Sequence, residues 1–432
     1  MLYEGGAVVM ETGVLFIAMF VFIAIGVPIG FAIGAACVLT MLIYPNVSLL
    51  MITQNCFTAL NSFPLLAIPF FILSGSLMSS GGIAKRLLNA ASAIFGFLTG
   101  GLALVSTAAC VFFGAVSGSG VATTSAIGGF MIPEMEKHGY DKGFSAALVA
   151  ASGSIGVIIP PSIPFVMYAV ATSTSVSEMF LAGILPGLCM GAALMITSHF
   201  ICKSRGYGVK TKFIGFKAMG RTFWDAKWAL LAPVIILGGI YSGIFTPTEA
   251  SVVAVVYSYI IGRFVYKELD TKGVIATLKD SGEVSAVTTF MLTFSTTFST
   301  FITMKQVPQQ ISTFLIGVTS NKILLLIIIN VFLLIVGCLI DILPATIILA
   351  PILLPVALKM GLSPVHFGII MTVNLAIGFI TPPYGINLFT ACAICNLSME
   401  RICKNIIWFL LALIVALMLI TYIPGISMCF LK

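Results

Sequence analysis

Asp341 is the only charged residue between Ile323 and Leu358, a stretch of 36 residues otherwise apolar enough to run through a bilayer. Placing a carboxylate there costs about 3 kcal/mol on insertion scales, so such a group marks a functional site by default. Two further signals sit at similar depth in apolar sequence. Residues 156–164 read GVIIPPSIP and residues 378–386 read GFITPPYGI. Adjacent prolines remove amide donors and clash with the preceding turn, so each pair predicts a helix broken inside the membrane. A broken helix exposes carbonyl oxygens where its first half ends, at the negative pole of the dipole, and these suit a hard monovalent cation such as Na+. Its second half opens with free amides at a positive pole, which suits a carboxylate. Ser117, Ser119, Thr123, Ser162, Thr381 and Asn387 add neutral hydrogen-bonding groups nearby. Each motif alone has a blander reading: Gly114 and Gly118 form a GxxxG pair of the kind close helix packing uses, and one Pro-Pro pair is equally compatible with a kink that binds nothing.

The elements that must hold these groups follow from composition. Apolar residues make up 59% of the 432, charged residues 8%, and mean hydropathy is +1.16. So few charges cannot cover a soluble domain, which makes this a polytopic all-α membrane protein. The net charge of +7 is concentrated in Lys203, Arg205, Lys210, Lys212, Lys217, Arg221 and Lys227, opposed there only by Asp225. That is the pattern of a cytoplasmic connector facing membrane lipids, and no nucleic acid partner is expected. Ten cysteines are scattered, with one CxxC at Cys392 and Cys395 and no neighbouring acid or His, so neither metal nor redox chemistry is expected. His138, His199 and His366 fall near segment ends and read as interfacial. The N-terminal 84 residues lack Lys and Arg, which argues against a cleaved signal, and Gly13 to Tyr44 reads as one long span or two short ones.

The two proline pairs belong to a repeat. Pro133 and Pro355 differ by 222, as do Lys137 and Lys359, Gly139 and Gly361, Gly156 and Gly378, Pro160 and Pro382, and Pro161 and Pro383. Such ungapped agreement predicts an internal duplication. In each half an uncharged stretch precedes a short polar turn and then the broken helix, and the stretch reads as a hairpin that turns inside the membrane. The expected units are N-terminal scaffold helices over 1–86 and a first repeat over 87–202, with hairpin 1 at about 102–134 and a broken helix at about 141–175. A basic connector with scaffold helices over 203–280 follows. The second repeat, 281–432, carries hairpin 2 at about 323–358, a broken helix at about 364–396 and a C-terminal helix.

FFGAVSGSGVATTSAIGG, GVIIPPSIP, MFLAGILPG, GGIYSGIFTPTEA and AIGFITPPYGI, in this order, resemble the large, DctM-like membrane subunit of tripartite ATP-independent periplasmic (TRAP) transporters. The resemblance covers essentially the whole chain. It implies an inverted-repeat, elevator-type transporter of the bacterial inner membrane, with two re-entrant hairpins, two broken helices and Na+ as coupling ion. Carried onto this chain, it implies one sodium site at Ser117 with the carbonyls of Gly156 and Ile159. A second would use Gly337, Asp341, Gly378 and Thr381, with substrate near Ser119, Thr123, Ser162 and Asp341 and helix breaks at Pro160, Pro161, Pro382 and Pro383. It implies two partners, a small four-helix membrane subunit and a periplasmic substrate-binding protein. At 432 residues the chain is expected to lack a fused small subunit. Members associated with sialic acid read SGSALAD or SGSAVAD at the first tip, where this chain has SGSGVAT with Thr123 in place of Asp; that resembles the C4-dicarboxylate branch and implies an organic acid anion. The alternatives are a stand-alone sodium/carboxylate symporter, a TRAP subunit for a sialic or sugar acid, a channel and, from another class, an intramembrane enzyme. No HExxH and no ring of like charges supports the last two, and with no ATP-binding GxxxxGK[ST] loop an ion gradient is the expected source of work. Asp341→Asn is expected to insert normally and to lose most transport, measured as uptake per inserted molecule; normal flux would remove Asp341 from the site.

Overall fold

The computed structural model describes residues 2–45, 47–208, 215–318, 321–383 and 385–431, and among them every regular element is a helix. The first half runs α1 (Leu2–Ala24), α2 (Ile29–Ile43), α3 (Leu50–Leu60), α4 (Ala67–Ser80), α5 (Ile83–Phe95), α6 (Gly101–Ser117), α7 (Gly120–Lys137), α8 (Lys142–Gly153), α9 (Ile163–Thr172) and α10 (Val176–Arg205). The second runs α11 (Phe216–Tyr241), α12 (Pro247–Ile260), α13 (Thr271–Met304), α14 (Val307–Val318), α15 (Lys322–Gly337), α16 (Ile342–Lys359), α17 (Pro364–Gly378), α18 (Ile386–Cys395), α19 (Met399–Tyr422) and the single turn α20 (Gly425–Met428). Six helical stretches among the described residues are long and apolar enough to cross a bilayer: Phe63–Ser80, Val176–Arg205, Phe216–Tyr241, Pro247–Val265, Ile342–Lys359 and Met399–Tyr422.

Local chemistry sets the helix ends. Asp141 caps α8 by accepting the Phe144 amide at 2.8 Å, and Thr246 with Glu249 forms a capping box ahead of Pro247, which opens α12. At the far ends of α7 and α16 the chain turns through Gly139 at φ +81° and Gly361 at φ +72°, a conformation glycine adopts without a Cβ penalty.

The repeat extends well beyond the identities that reveal it. Shifted by 222, α7 coincides with α16 residue for residue, α8 starts where α17 starts, and α6 and α9 match α15 and α18 to within a residue at their first positions. Further back, α5 falls on α14, α2 on α12, α1 overlaps α11, and α3 with α4 falls on the single helix α13. Pro64 lies in the 3-10 turn Phe63–Leu66 that divides α3 from α4, and position 286 of the second copy is Ala, so α13 runs on unbroken. At this offset α11 and α12 fall opposite α1 and α2, ahead of residue 281, where the second repeat is expected to begin.

The copies interlock by exchange. Helix α7 packs on α18, while α16 packs on α9, so each copy's second hairpin helix lies against the later half of the other copy's broken helix. Around this core α4 packs on α12 and α13, and α13 on α2 and α3. His366 corrects its expected interfacial place: it is buried, with Nδ1 2.6 Å from Ser427 Oγ and Nε2 3.3 Å from the Thr421 carbonyl. Asn330 links the same region, donating to Thr421 Oγ1 at 3.2 Å and accepting from Asn374 at 2.8 Å. A position near a segment end says nothing about what other helices cover it.

The tightest seam is backbone on backbone. A Cβ on Gly378 would run into the Gly337 carbonyl, and one on Gly114 would lie 2.8 Å from the Gly156 Cα. Gly378→Ala is expected to cost about 2–3 kcal/mol, read as a lower unfolding midpoint in detergent and a smaller monodisperse yield. Gly129→Ala, with nothing within 4 Å of its Cβ position, should unfold no lower than the parent chain.

Candidate functional site

The first tip is two residues long. Ser117 ends α6, Gly118 turns at φ +61°, and Ser119 caps α7 through its hydroxyl, which accepts the Ala122 amide at 3.3 Å. Thr123 Oγ1 donates to the Ser119 carbonyl at 2.7 Å, and Ser117 Oγ stands 3.0 Å from Thr123 Oγ1. Ser117 Oγ also lies 3.4 Å from the Ser119 carbonyl, so both hydroxyls converge on that oxygen. Three oxygens are thus gathered with no formal charge, those of Ser117 and Thr123 on buried residues and the carbonyl of the half-buried Ser119.

The broken helix meets this tip directly. After α8 a 3-10 turn, Ser154–Val157, tightens the chain, and a Cβ on Gly156 would collide with Thr123 Oγ1 and lie 2.8 Å from the Ser119 carbonyl. A Cβ on Gly118 would lie 2.6 Å from the Pro161 carbonyl, so tip and break are in backbone contact. Ser162 restarts the helix as the cap of α9: its hydroxyl donates to the Val157 carbonyl at 2.5 Å and accepts from the Phe165 amide at 3.3 Å. Ile159 is buried in the break, where its side chain abuts Gly187. The Pro160–Pro161 and Pro382–Pro383 peptides are both cis.

The second centre repeats the plan with different chemistry. Gly337 ends α15 against Gly378 at the end of α17. Asp341 caps α16 in extended backbone geometry and is partly buried, but its side chain makes no capping hydrogen bond. Thr381 donates to the Ile377 carbonyl at 2.9 Å. Ser117, Ser119, Thr123 and Gly156 therefore converge on one tip, and Gly337 and Gly378 on the other. The side chains of Ser162 and Thr381 are engaged with their own helices. The centres are joined where Asn387, buried at the start of α18, donates to the Ala150 carbonyl of α8 at 3.2 Å, and where Gly120 abuts the Phe379 ring.

Two residues escaped the sequence reading. Thr124 on α7 and Thr346 on α16 differ by 222, are fully buried, and carry hydroxyls without a hydrogen-bond partner among the described residues. A helical Thr ordinarily donates to the carbonyl one turn back, and a buried polar atom left alone costs about 1–3 kcal/mol. The signal was present as one more identity at the repeat offset, but neither neighbour suggests a site.

The family model for the DctM component of the tripartite ATP-independent periplasmic transporters matches residues 16–426. The chain belongs to the DctM family. Its relatives include an isethionate TRAP transporter permease, DctMQ, of Oleidesulfovibrio alaskensis, 45% identical over 96% of this chain and 66% of the relative's length. A C4-dicarboxylate TRAP transporter large permease of Vibrio cholerae is 38% identical, with 97% of each chain covered, and a sialic acid large permease of the same organism is 36% identical over 92% of this chain and 93% of its own. In fold the chain is similar to the YdaH transporter of Alcanivorax borkumensis, with a TM-score of 0.60, 17% identity and 87% of each chain covered. DctM proteins are transporter subunits and not enzymes, and this one is a multi-pass protein of the inner membrane.

Thr124→Val and Thr346→Val are isosteric and remove an unpaired hydroxyl, so each is expected to hold or raise the unfolding midpoint. If these hydroxyls serve ligand, the same variants lower apparent affinity for ion or anion in uptake; stability and uptake both unchanged would assign them to packing.

Proposed function

We propose that this DctM-family chain is the large membrane subunit of a Na+-coupled importer of an organic acid anion. The observation that carries this reading is the pairing, in each copy, of a hairpin turn with a proline break through glycine backbone contact, Gly118 on Pro161 and Gly337 on Gly378. Non-helical backbone at that depth is tolerated only in a buried or water-lined cavity, and its free carbonyls and amides are what a cation and an anion need. In this reading the hairpins are re-entrant and the repeats inverted. One Na+ is held by Ser117 with the Gly156 and Ile159 carbonyls, the other by Gly337, Asp341, Gly378 and Thr381, and substrate lies near Ser119, Thr123, Ser162 and Asp341. The interlocked core α6–α9 with α15–α18 moves as the carrying body of an elevator against the remaining helices.

The relatives named above carry isethionate, C4-dicarboxylate and sialic acid in their names, all organic anions. A C4-dicarboxylate fits the neutral first tip, where Thr123 adds no negative charge. The 45% identity to the isethionate permease favours a second reading, a small sulfonate, whose oxygens need the same amide and hydroxyl donors. Supply by a periplasmic binding protein and assembly with a small four-helix membrane subunit complete the proposed system.

Reconstituted in proteoliposomes with both partners, the chain is expected to take up labelled anion only under an inward Na+ gradient, with uptake falling to the protein-free level when K+ replaces Na+. Uptake that persists without the binding protein would support the stand-alone symporter, and Na+-independent uptake would sink the coupling.

A further inference from the structure

Away from the tips, α5, α11 and the segment after α12 line an open polar groove of about 480 Å³. Six side chains define its character: Lys85 and Arg86 from α5, Trp224, Lys227 and Trp228 from α11, and Tyr266. Two of the cations lie on aromatic faces. Arg86 sits 3.6 Å from the Tyr266 ring centroid and pairs with Glu268 at 2.7 Å, while the Lys227 ammonium lies 3.6 Å from the Trp224 ring and 5.4 Å from that of Trp228. A second cavity of about 270 Å³ shares Arg86, Asn89 and Asp225 with the first, so the two form one groove along α5 and α11.

Its place in the membrane follows from α11. Residues 216–228 of that helix carry Lys217, Arg221, Asp225 and Lys227, residues 229–241 carry no charge, and Trp228 stands at the change. Tryptophan at such a boundary marks the headgroup level, and the surrounding excess of Lys and Arg marks the cytoplasmic leaflet, whose lipids are anionic. On the apolar side Leu231 and Val234, about one and two turns beyond Trp228, are exposed, as are Ile260 at the end of α12 and Phe264 just after it. Lys85, Arg86 and Lys227 face Asp225 and Glu268 in the groove, leaving one positive charge unmatched.

We propose that this groove binds the headgroup phosphate of an anionic phospholipid of the cytoplasmic leaflet, with Lys85 and Lys227 on the phosphodiester, Trp224 and Trp228 flanking the glycerol, and acyl chains along Leu231 and Val234. One surplus positive charge matches a lipid carrying one negative charge, such as phosphatidylglycerol. A zwitterionic lipid would leave that charge unmet.

The full chain, purified in detergent and exchanged into mixed micelles of phosphatidylglycerol and phosphatidylethanolamine, is examined by native mass spectrometry. Retention of phosphatidylglycerol over phosphatidylethanolamine is expected. Each removed cation should weaken retention about 5-fold, so Lys85→Gln with Lys227→Gln lowers it about 25-fold, whereas Lys279→Gln, exposed and outside the groove, leaves it unchanged. In a Trp408→Phe background, brominated phosphatidylglycerol should quench Trp224 and Trp228 of the otherwise unaltered chain, which keeps the test independent of how the lysine variants fold. Equal retention of the two lipids, undiminished retention in the double variant, absence of quenching, or release of the lipid by inorganic phosphate would each overturn the proposal, the last by making the groove a site for free phosphate.

Discussion

Backbone polar groups inside a membrane must find partners within the protein, and this chain breaks two helices where water is scarce. Everything around the breaks answers that constraint. The tips come within backbone contact of the breaks because glycine stands at the closest points, Gly114 beside Gly156 and Gly337 beside Gly378. Serine and threonine hydroxyls then take up carbonyls left over by the broken helix, as Ser162 does for Val157 and Thr381 for Ile377. Near the two centres, among the described residues, Thr124, Thr346 and the Oδ1 of Asn387 keep polar atoms without a hydrogen-bond partner.

Duplication provides two such centres, and exchange packing makes them one body. Because α7 leans on α18 and α16 on α9, neither copy can complete its own core. The Asn387 to Ala150 bond shows the consequence at the level of one side chain. The copies have also diverged where chemistry matters. The first tip gathers neutral hydroxyls through Ser117 and Thr123, while the second carries the carboxylate of Asp341. A neutral site and a charged site side by side fit the proposed handling of cations and an anion together, since one carboxylate helps to neutralise a cation without repelling every anion nearby.

The outer helices serve a different requirement. They present apolar side chains to lipid and confine charge to the ends, so the basic groups of α5 and α11 meet the membrane at headgroup level beside Trp224 and Trp228. The ion pair between the buried Glu11 of α1 and the half-buried Lys305 at the end of α13 is another tie, placed where the chain turns into α14.

Much of this was legible in the sequence. Composition alone determines a polytopic helical membrane protein, because lipid admits no other arrangement for so many apolar residues and so few charges. The proline pairs show where the helices after α8 and α17 break, since two adjacent residues lack amide protons and clash with the preceding turn, whereas single prolines such as Pro133 and Pro355 are carried inside α7 and α16. The interval of 222 shows the duplication, though only over its densest identities: the equivalence of α1 with α11 and α2 with α12 rests on helix positions that drifting apolar sequence no longer records. Tertiary structure alone decided which residues meet. Thr124 and Thr346 look like ordinary helical threonines until their surroundings withhold a partner, and His366 looks interfacial until α19 and α20 close over it. Spacing along a chain dictates what a residue can do within its own helix; its burial and its partners depend on the helices that other parts of the chain lay against it.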